Sequence, residues 1–495
     1  MASQDATYVP LRPRYLWLKL LVGLLVGLKL VSLLYVNVFT DEAYYWMWGQ
    51  HPALSYYDHP PLNAWLLGLA DQIFGRSVFA LRSLNILTAA GTVWLFRICA
   101  KRLGGVDWER LFWRSLVIYF AAPAFGAYGT VGTSDHLLIF LTLVSGFFFI
   151  SYFFAVQAGE RGRLVDLYLG AAFLGICGLT KYNVAFMGLA LVGTIVFSGK
   201  LRRLLLSPHL YLAAMLSIAI ASPMLVWNAQ NGFASFNYHL VGRHGPGFLQ
   251  SLRFNGLIEF LATSIVALGP FLIWGMARFL ATKTTDPLTQ TVKGLAAWTF
   301  WISTIAFSAI ALTAEAYFWW NLPAMILMMP LMGRHMGRIA FWGHVVLSMA
   351  VSVFYVISAT IFPLLLLMDR PDTTRTRYYG WEQIEAPLRA AIALHHPDFV
   401  GSSRWEYASL AGFVLDDPDT VSIDPRPNQY HYWFDPAAHL GQKAVLITHS
   451  QNAQQATIDS QFDRVTLIEE IPVIRFGHKL GTYRLYLGEG FKPSW

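Results

Sequence analysis

The chain has 495 residues, of which 55% are hydrophobic and 13% charged, and its mean hydropathy is +0.45. A soluble domain carries about a quarter charged residues, so the composition excludes an ordinary soluble globule. The formal net charge of +7 does not indicate nucleic-acid binding. Its basic residues sit in short loops between apolar runs, with no basic stripe interleaved by aromatics.

The first apolar run, Leu16–Val36, follows the polar, basic stretch Met1–Arg14. It reaches the roughly 20 residues that cross hydrocarbon. It exceeds a signal-peptide core, and no small-residue cleavage site follows, so it is expected to be a retained first span. Further runs place about eleven spans in all, near 15–36, 78–100, 112–128, 136–156, 166–180, 183–198, 208–227, 254–278, 294–313, 319–332 and 339–364. Cys99 and Cys177 fall inside such runs and read as small hydrophobes, not as a disulfide framework.

Charge orients these spans. Arg12, Arg14 and Lys19 begin one side; Arg97, Lys101, Arg102, Arg110 and Arg114 follow on it, then Arg161 and Arg163, Lys200 to Arg203, Arg278 to Lys293, and Arg334 with Arg338. The positive-inside rule makes that side cytoplasmic. The alternate loops then face outward, and they carry Asp41, Glu42, Asp58, His59, Asp135, Lys181, His239, Arg243 and Glu315. Ionisable groups near lipid are costly, so their collection on one face suggests a shared cavity.

From about Asp369 the composition turns polar and rich in Pro, Asp and His. Trp381–His395 reads as an amphipathic helix, and Ala444–Thr448, Arg464–Leu467 and Tyr483–Leu487 read as strands. The expected division is a membrane domain over 1–368 and a small outer α/β domain over 369–495.

The outer-loop residues each have a bland reading. Thr40 or Asp41 could cap a helix, with Glu42 in its first turn. Tyr44 and Tyr45 could form an interfacial aromatic belt, or a wall for a sugar. Pro60-Pro61 restricts His59 and starts the next helix, which leaves Asp58-His59 unexplained. Ser134 or Asp135 could cap a span. Lys181 could be a snorkelling lysine. Arg243, in a Gly-rich outer loop with His244, is suited to an anion. Arg82, just inside the outer end of the second span, could pair with a carboxylate or meet a phosphate. Glu315 lies among aromatics.

Taken together the motifs are recognisable. Asp41-Glu42-Ala43-Tyr44-Tyr45-Trp46, Tyr57-Asp58-His59-Pro60-Pro61, Thr133-Ser134-Asp135, Thr180-Lys181-Tyr182 and Trp227-Asn228 resemble bacterial glycosyltransferase family 39. Its relatives include the dolichyl-phosphate-mannose–protein mannosyltransferases and the lipid A aminoarabinose transferases. Asn428-Gln429-Tyr430 in the C-terminal segment is similar to other bacterial members. The resemblance implies a mostly α, polytopic GT-C fold and a polyprenyl-phosphate-linked sugar as donor. It implies inverting transfer to a lipid, glycan or protein acceptor at the outer face of the bacterial inner membrane. Asp41 would be the general base and Asp135 would position acceptor or sugar. Lys181, Arg243, His59 and Arg82 would bind the donor phosphate. Glu42, Tyr44, Tyr45, Asp58, His239, Glu315 and Tyr430 would contact substrate. Asp58-His59-Pro60-Pro61 departs from the Glu-Lys-Pro-Pro of aminoarabinose transferases, which puts that sugar in doubt. No cofactor is required by the chemistry, and Asp58 with His239 are candidate ligands for a structural divalent metal. A transporter or lipid flippase is the alternative, although such proteins place charges near the midplane.

Overall fold

The computed structural model describes residues 15–242, 252–368, 378–450 and 455–493. Among these, six helices are long and apolar enough to cross a membrane: Leu16–Tyr35 (α1), Val78–Leu103 (α4), Asp135–Gln157 (α6), Pro208–Gln230 (α9), Pro287–Ala311 (α13) and Arg338–Thr360 (α16). Phe254–Leu268 (α11) and Pro270–Ala281 (α12) together pass the same test but bend by 95° at Gly269. That residue has φ 85°, open to glycine at no steric cost, and Pro270 opens the second half. Leu164–Gly178 (α7) and Val184–Phe197 (α8) are shorter apolar helices. Leu20 and Leu24 on α1 and Met215 and Ile218 on α9 are exposed, as a lipid-facing surface requires. The protein is a multi-pass membrane protein.

Two expected spans differ. The one near 112–128 is Trp108–Ala121 (α5), after which the chain turns irregularly into 3-10 structure. The one near 319–332 is a run of short pieces: 3-10 turns at Phe318–Asn321 and Met329–Leu331, with Leu322–Ile326 (α14) and Met332–His335 (α15) between and after them. Pro323 and Pro330 each remove a backbone donor, so no continuous ladder forms. Apolarity alone could not reveal this.

The segment between α1 and α4 is itself helical. Thr40–Gln50 (α2) and Leu62–Phe74 (α3) cross at Gly49 and Gly68. A Cβ on Gly68 would lie 2.6 Å from the Gly49 carbonyl oxygen, so the crossing requires glycine. Asp71 of α3 accepts from Trp46 Nε1 at 3.0 Å and Gln50 Nε2 at 3.1 Å. A later segment carries Ala234–Asn237 (α10), followed by a π turn over Tyr238–Gly242.

The C-terminal segment holds Trp381–His395 (α17), as expected, with Trp405–Leu415 (α18) and Gln455–Gln461 (α19). Its five strands are Phe399–Ser402 (β1), Val421–Ser422 (β2), Ala444–His449 (β3), Phe462–Arg475 (β4) and His478–Phe491 (β5), ordered β2-β1-β3-β5-β4. β1 pairs in parallel with β2 and β3; β5 runs antiparallel to β3 and β4. Phe476 and Gly477, both at positive φ, make the tight β4–β5 turn.

This small domain does not keep its core to itself. Met47, Trp46 and Tyr44 of α2 share one buried cluster with Tyr407 and Phe413 of α18 and Tyr483 of β5. Gly412 permits the approach, since a Cβ there would meet Met47 Sδ at 2.7 Å. Arg76 adds a hydrogen bond to the Phe413 carbonyl and an ion pair to Asp416. The sheet domain is therefore docked on the segment between α1 and α4.

Candidate active site

The site is organised by Glu42. Its Oε2 accepts from the Phe39 N–H at 2.9 Å, which closes the first turn of α2. Its Oε1 accepts from the Gly132 N–H at 2.6 Å, in the loop that leads into α6. Both oxygens also accept from Arg82 of α4, at 2.7 and 2.6 Å. Arg82 donates its remaining hydrogens to the carbonyls of Leu33, Val36 and Asn37. Both side chains are completely buried. Glu42 was expected to contact substrate and Arg82 to bind phosphate; here each is saturated by protein partners. Their role is to lock α1, α2, α4 and the loop before α6 together, and Gly132 is needed there because a Cβ would lie 2.4 Å from the Leu81 carbonyl.

That lock places the neighbouring acids. Asp41 is in the first turn of α2, partly exposed. Neither Thr40 nor Asp41 caps the helix, since Phe39 holds the N-cap position. Asp135 opens α6 behind Ser134, which makes no side-chain cap. Asp135 Oδ1 accepts from Lys181 Nζ at 2.7 Å, and its Oδ2 accepts from Thr133 at 3.2 Å. The structure thus brings together two residues the sequence singled out separately. Lys181 lies in the short connection between α7 and α8 and is nearly buried. Tyr45 of α2 is buried. Burial, then the negative charges of Asp41 and Asp135, and more weakly that of Asp58, push its phenol well above the ordinary value.

A second cluster surrounds Asp58. Its Oδ2 accepts from the Tyr44 hydroxyl at 2.7 Å, and its main-chain carbonyl lies 2.7 Å from His239 Nε2. His239 stacks on His59 at 5.7 Å, and His59 on Tyr45 at 6.1 Å. Burial first, and then the charge of Asp58, push the Tyr44 phenol up. Asp58 and His239, the two candidate metal ligands, both have protein partners here. His239 meets the Asp58 main chain, while the Asp58 carboxylate serves Tyr44. Among the described residues no group of three or more His, Cys, Asp or Glu could hold a metal.

The C-terminal segment completes this cluster through Gln429, a residue of the Asn428-Gln429-Tyr430 motif to which the sequence assigned no role. Gln429 donates its N–H to the Tyr44 hydroxyl at 2.8 Å, and its Oε1 accepts from the Tyr57 N–H at 2.6 Å. Tyr430, expected to contact substrate, is instead buried with its hydroxyl 2.9 Å from Ser409 Oγ, and it stacks on Tyr44 at 6.0 Å. Burial raises its phenol. Glu315 is exposed and accepts from the Tyr317 hydroxyl at 2.6 Å. Arg243 lies outside the described residues.

Comparisons with known proteins bear on the fold and the class of the protein. The dolichyl-phosphate-mannose-protein mannosyltransferase family model matches residues 58–227. The lipid A galacturonosyltransferase RgtD of Rhizobium johnstonii is 26% identical over 397 residues, 77% of this chain and 78% of that protein. An undecaprenyl phosphate-alpha-4-amino-4-deoxy-L-arabinose arabinosyl transferase of Pseudomonas savastanoi pv. phaseolicola is 27% identical over 182 residues, 36% of this chain and 32% of that one. The crystal structure of apo ArnT from Cupriavidus metallidurans superposes with a TM-score of 0.61 at 12% identity, covering 95% of this chain and 97% of that chain. ArnT bound to undecaprenyl phosphate gives a TM-score of 0.58 at 15% identity, covering 95% and 98%. The likeness to ArnT shows the fold, and the named relatives are sugar transferases, which sets the transporter reading aside. This chain is a multi-pass membrane glycosyltransferase of the GT-C fold, the fold of ArnT, and is similar to the dolichyl-phosphate-mannose-protein mannosyltransferase family over residues 58–227.

Proposed function

We propose that the protein moves a sugar from a polyprenyl-phosphate donor to a hydroxyl or phosphate of a lipid A-type acceptor at the outer face of the bacterial inner membrane. The observation that carries this reading is the Lys181–Asp135 ion pair of 2.7 Å at the start of α6, tied through the Gly132 N–H on Glu42 to the first turn of α2, which carries Asp41. The relatives support the substrate classes: one is a lipid A galacturonosyltransferase, another is named for an undecaprenyl-phosphate sugar, and one ArnT structure holds undecaprenyl phosphate.

In the proposed step Asp41 takes the proton of the acceptor oxygen as that oxygen bonds to the anomeric carbon. The bond from that carbon to the phosphate oxygen breaks, and its electron pair leaves with the phosphate. Attack opposite the leaving group inverts the centre. Lys181 stabilises the developing phosphate charge, joined by His59 and Arg243. One ammonium hydrogen is held by Asp135, which aims the group and leaves its charge available to an anion. The step consumes no cofactor. Orientation rests on the basic loops, which place the N-terminus in the cytoplasm and the segment from 369 onward outside.

The test is transfer by purified protein in detergent, with undecaprenyl-phosphate-linked galacturonic acid, hexose and aminopentose offered separately and lipid A as acceptor. Label appearing in lipid A from one donor, with release of undecaprenyl phosphate, supports the reading. No transfer from any member of the panel contradicts it.

A further inference from the structure

Beside the Asp135–Lys181 pair lies a cavity that the proposed step does not use. It is enclosed by α1, α4, α5, the start of α6 and the segment before α14. Asn85, Thr88, His136, Lys29 and Trp319 line it, and Asp135 stands at one side. Lys29 cannot serve as an anion ligand here. Its ammonium reaches the carbonyls of Phe125, Gly126 and Gly129 at 3.2, 3.1 and 3.0 Å, which accounts for all three hydrogens and pins that turn.

Two other lining groups are unsatisfied. Asn85 is 1% exposed and donates Nδ2 to the Val131 carbonyl at 3.1 Å, but its buried Oδ1 has no partner among the described residues. His136 uses Nδ1 with the Thr88 hydroxyl at 3.1 Å, and its buried Nε2 also has no partner among them. Buried polar atoms are normally satisfied, so two orphans lining one cavity are an unusual pairing. The ligand chemistry follows. Oδ1 of Asn85 needs a donor. Nε2 of His136 needs a donor or an acceptor according to the ring tautomer. A hydroxyl supplies both and serves either tautomer. Size narrows it further. The cavity is about 40 Å3; at roughly 10–15 Å3 per water position it takes a few heavy atoms and not a whole sugar ring.

We propose that this cavity seats a hydroxyl-bearing substituent of a sugar substrate, with Asn85 and His136 as the residues that select for it. The proposal rests on the transferase reading above and adds a specificity site to it. A sugar that lacks the hydroxyl leaves two buried groups unpaired, which is how a polar pocket rejects a deoxy analogue. The hydroxyl belongs either to the transferred sugar or to the acceptor glycolipid, and kinetics separates the two.

Two variants test it. Asn85→Leu removes the acceptor. Ala89→Leu, also in the cavity wall, fills the space without deleting any of these hydrogen bonds. Each should lower kcat/KM at least tenfold. A rise confined to donor KM assigns the hydroxyl to the transferred sugar; a rise confined to lipid A KM assigns it to the acceptor. Unchanged constants for Ala89→Leu in folded protein overturn the proposal. Thermal stabilisation gives a readout independent of turnover. Undecaprenyl-phosphate hexose or lipid A should stabilise wild type more than undecaprenyl phosphate does, and Ala89→Leu should remove that excess. If wild type transfers nothing yet shows this pattern, the transfer reading fails and the cavity assignment stands. If no sugar-bearing lipid adds stabilisation in wild type, the cavity assignment fails.

Discussion

Gln429 and Tyr44 are joined by a hydrogen bond of 2.8 Å from the Gln429 N–H to the phenol oxygen, which in turn donates to Asp58 at 2.7 Å. The C-terminal domain therefore holds one wall of the site. Replacing Gln429 by Ala removes the acceptor of the Tyr57 N–H and leaves a buried donor unpaired. Such a loss costs about 1–3 kcal/mol. We expect a lower melting temperature and a several-fold fall in transfer for Gln429→Ala, with Gln429→Glu closer to wild type because it keeps the acceptor. Wild-type melting and turnover in Gln429→Ala would show that the contact has no such role.

The Glu42–Arg82 pair is a structural lock. Glu42→Gln removes the countercharge from a guanidinium with no access to solvent. Breaking a buried pair in this way costs about 3–5 kcal/mol. The variant should unfold at a markedly lower temperature in detergent. Arg82→Lys should be nearly as damaging, since one ammonium cannot reproduce a fork that reaches a carboxylate and three carbonyls. Normal folding of Glu42→Gln with altered donor KM would return Glu42 to the substrate.

The α2–α3 crossing gives a steric prediction. In Gly68→Ala the new methyl meets the Gly49 main chain, which cannot move aside as a flexible side chain could. Overpacking of this kind costs about 1–3 kcal/mol. Because α2 also carries Asp41, activity should fall along with stability. Thermal unfolding and turnover of Gly68→Ala check both; unchanged values would mean that the helices tolerate separation.

Lys181 has a distinct signature. Lys181→Gln should raise donor KM and lower kcat, since phosphate charge grows as the bond breaks. Lys181→Arg should recover part of the loss. A change in lipid A KM alone would move Lys181 to the acceptor side.

The sequence carried the membrane class and the helix at 381–395, because apolar run length and helical periodicity are local signals. It also carried Asp41, Asp135 and Lys181 as candidates. What it could not carry was which charges are already consumed. Glu42 looks as available as Asp41 in the sequence, and only the tertiary fold puts Arg82 and Gly132 on its two oxygens. The role of Gln429, though its motif was recognised, was illegible for the same reason, since its partners Tyr44 and Tyr57 lie far away along the chain. The break at 319–332 had a signal, Pro323 and Pro330, which the apolar run outweighed.

Asp41 is the proposed base. The most direct measurement compares sugar transfer by wild type and Asp41→Asn, with undecaprenyl-phosphate sugar binding followed in parallel by thermal shift. The substitution is nearly isosteric and leaves the Glu42–Arg82 lock intact. The account predicts donor binding close to wild type and a fall in kcat of at least about a hundredfold, in line with the loss of a general base. Equal turnover by the two proteins would contradict it.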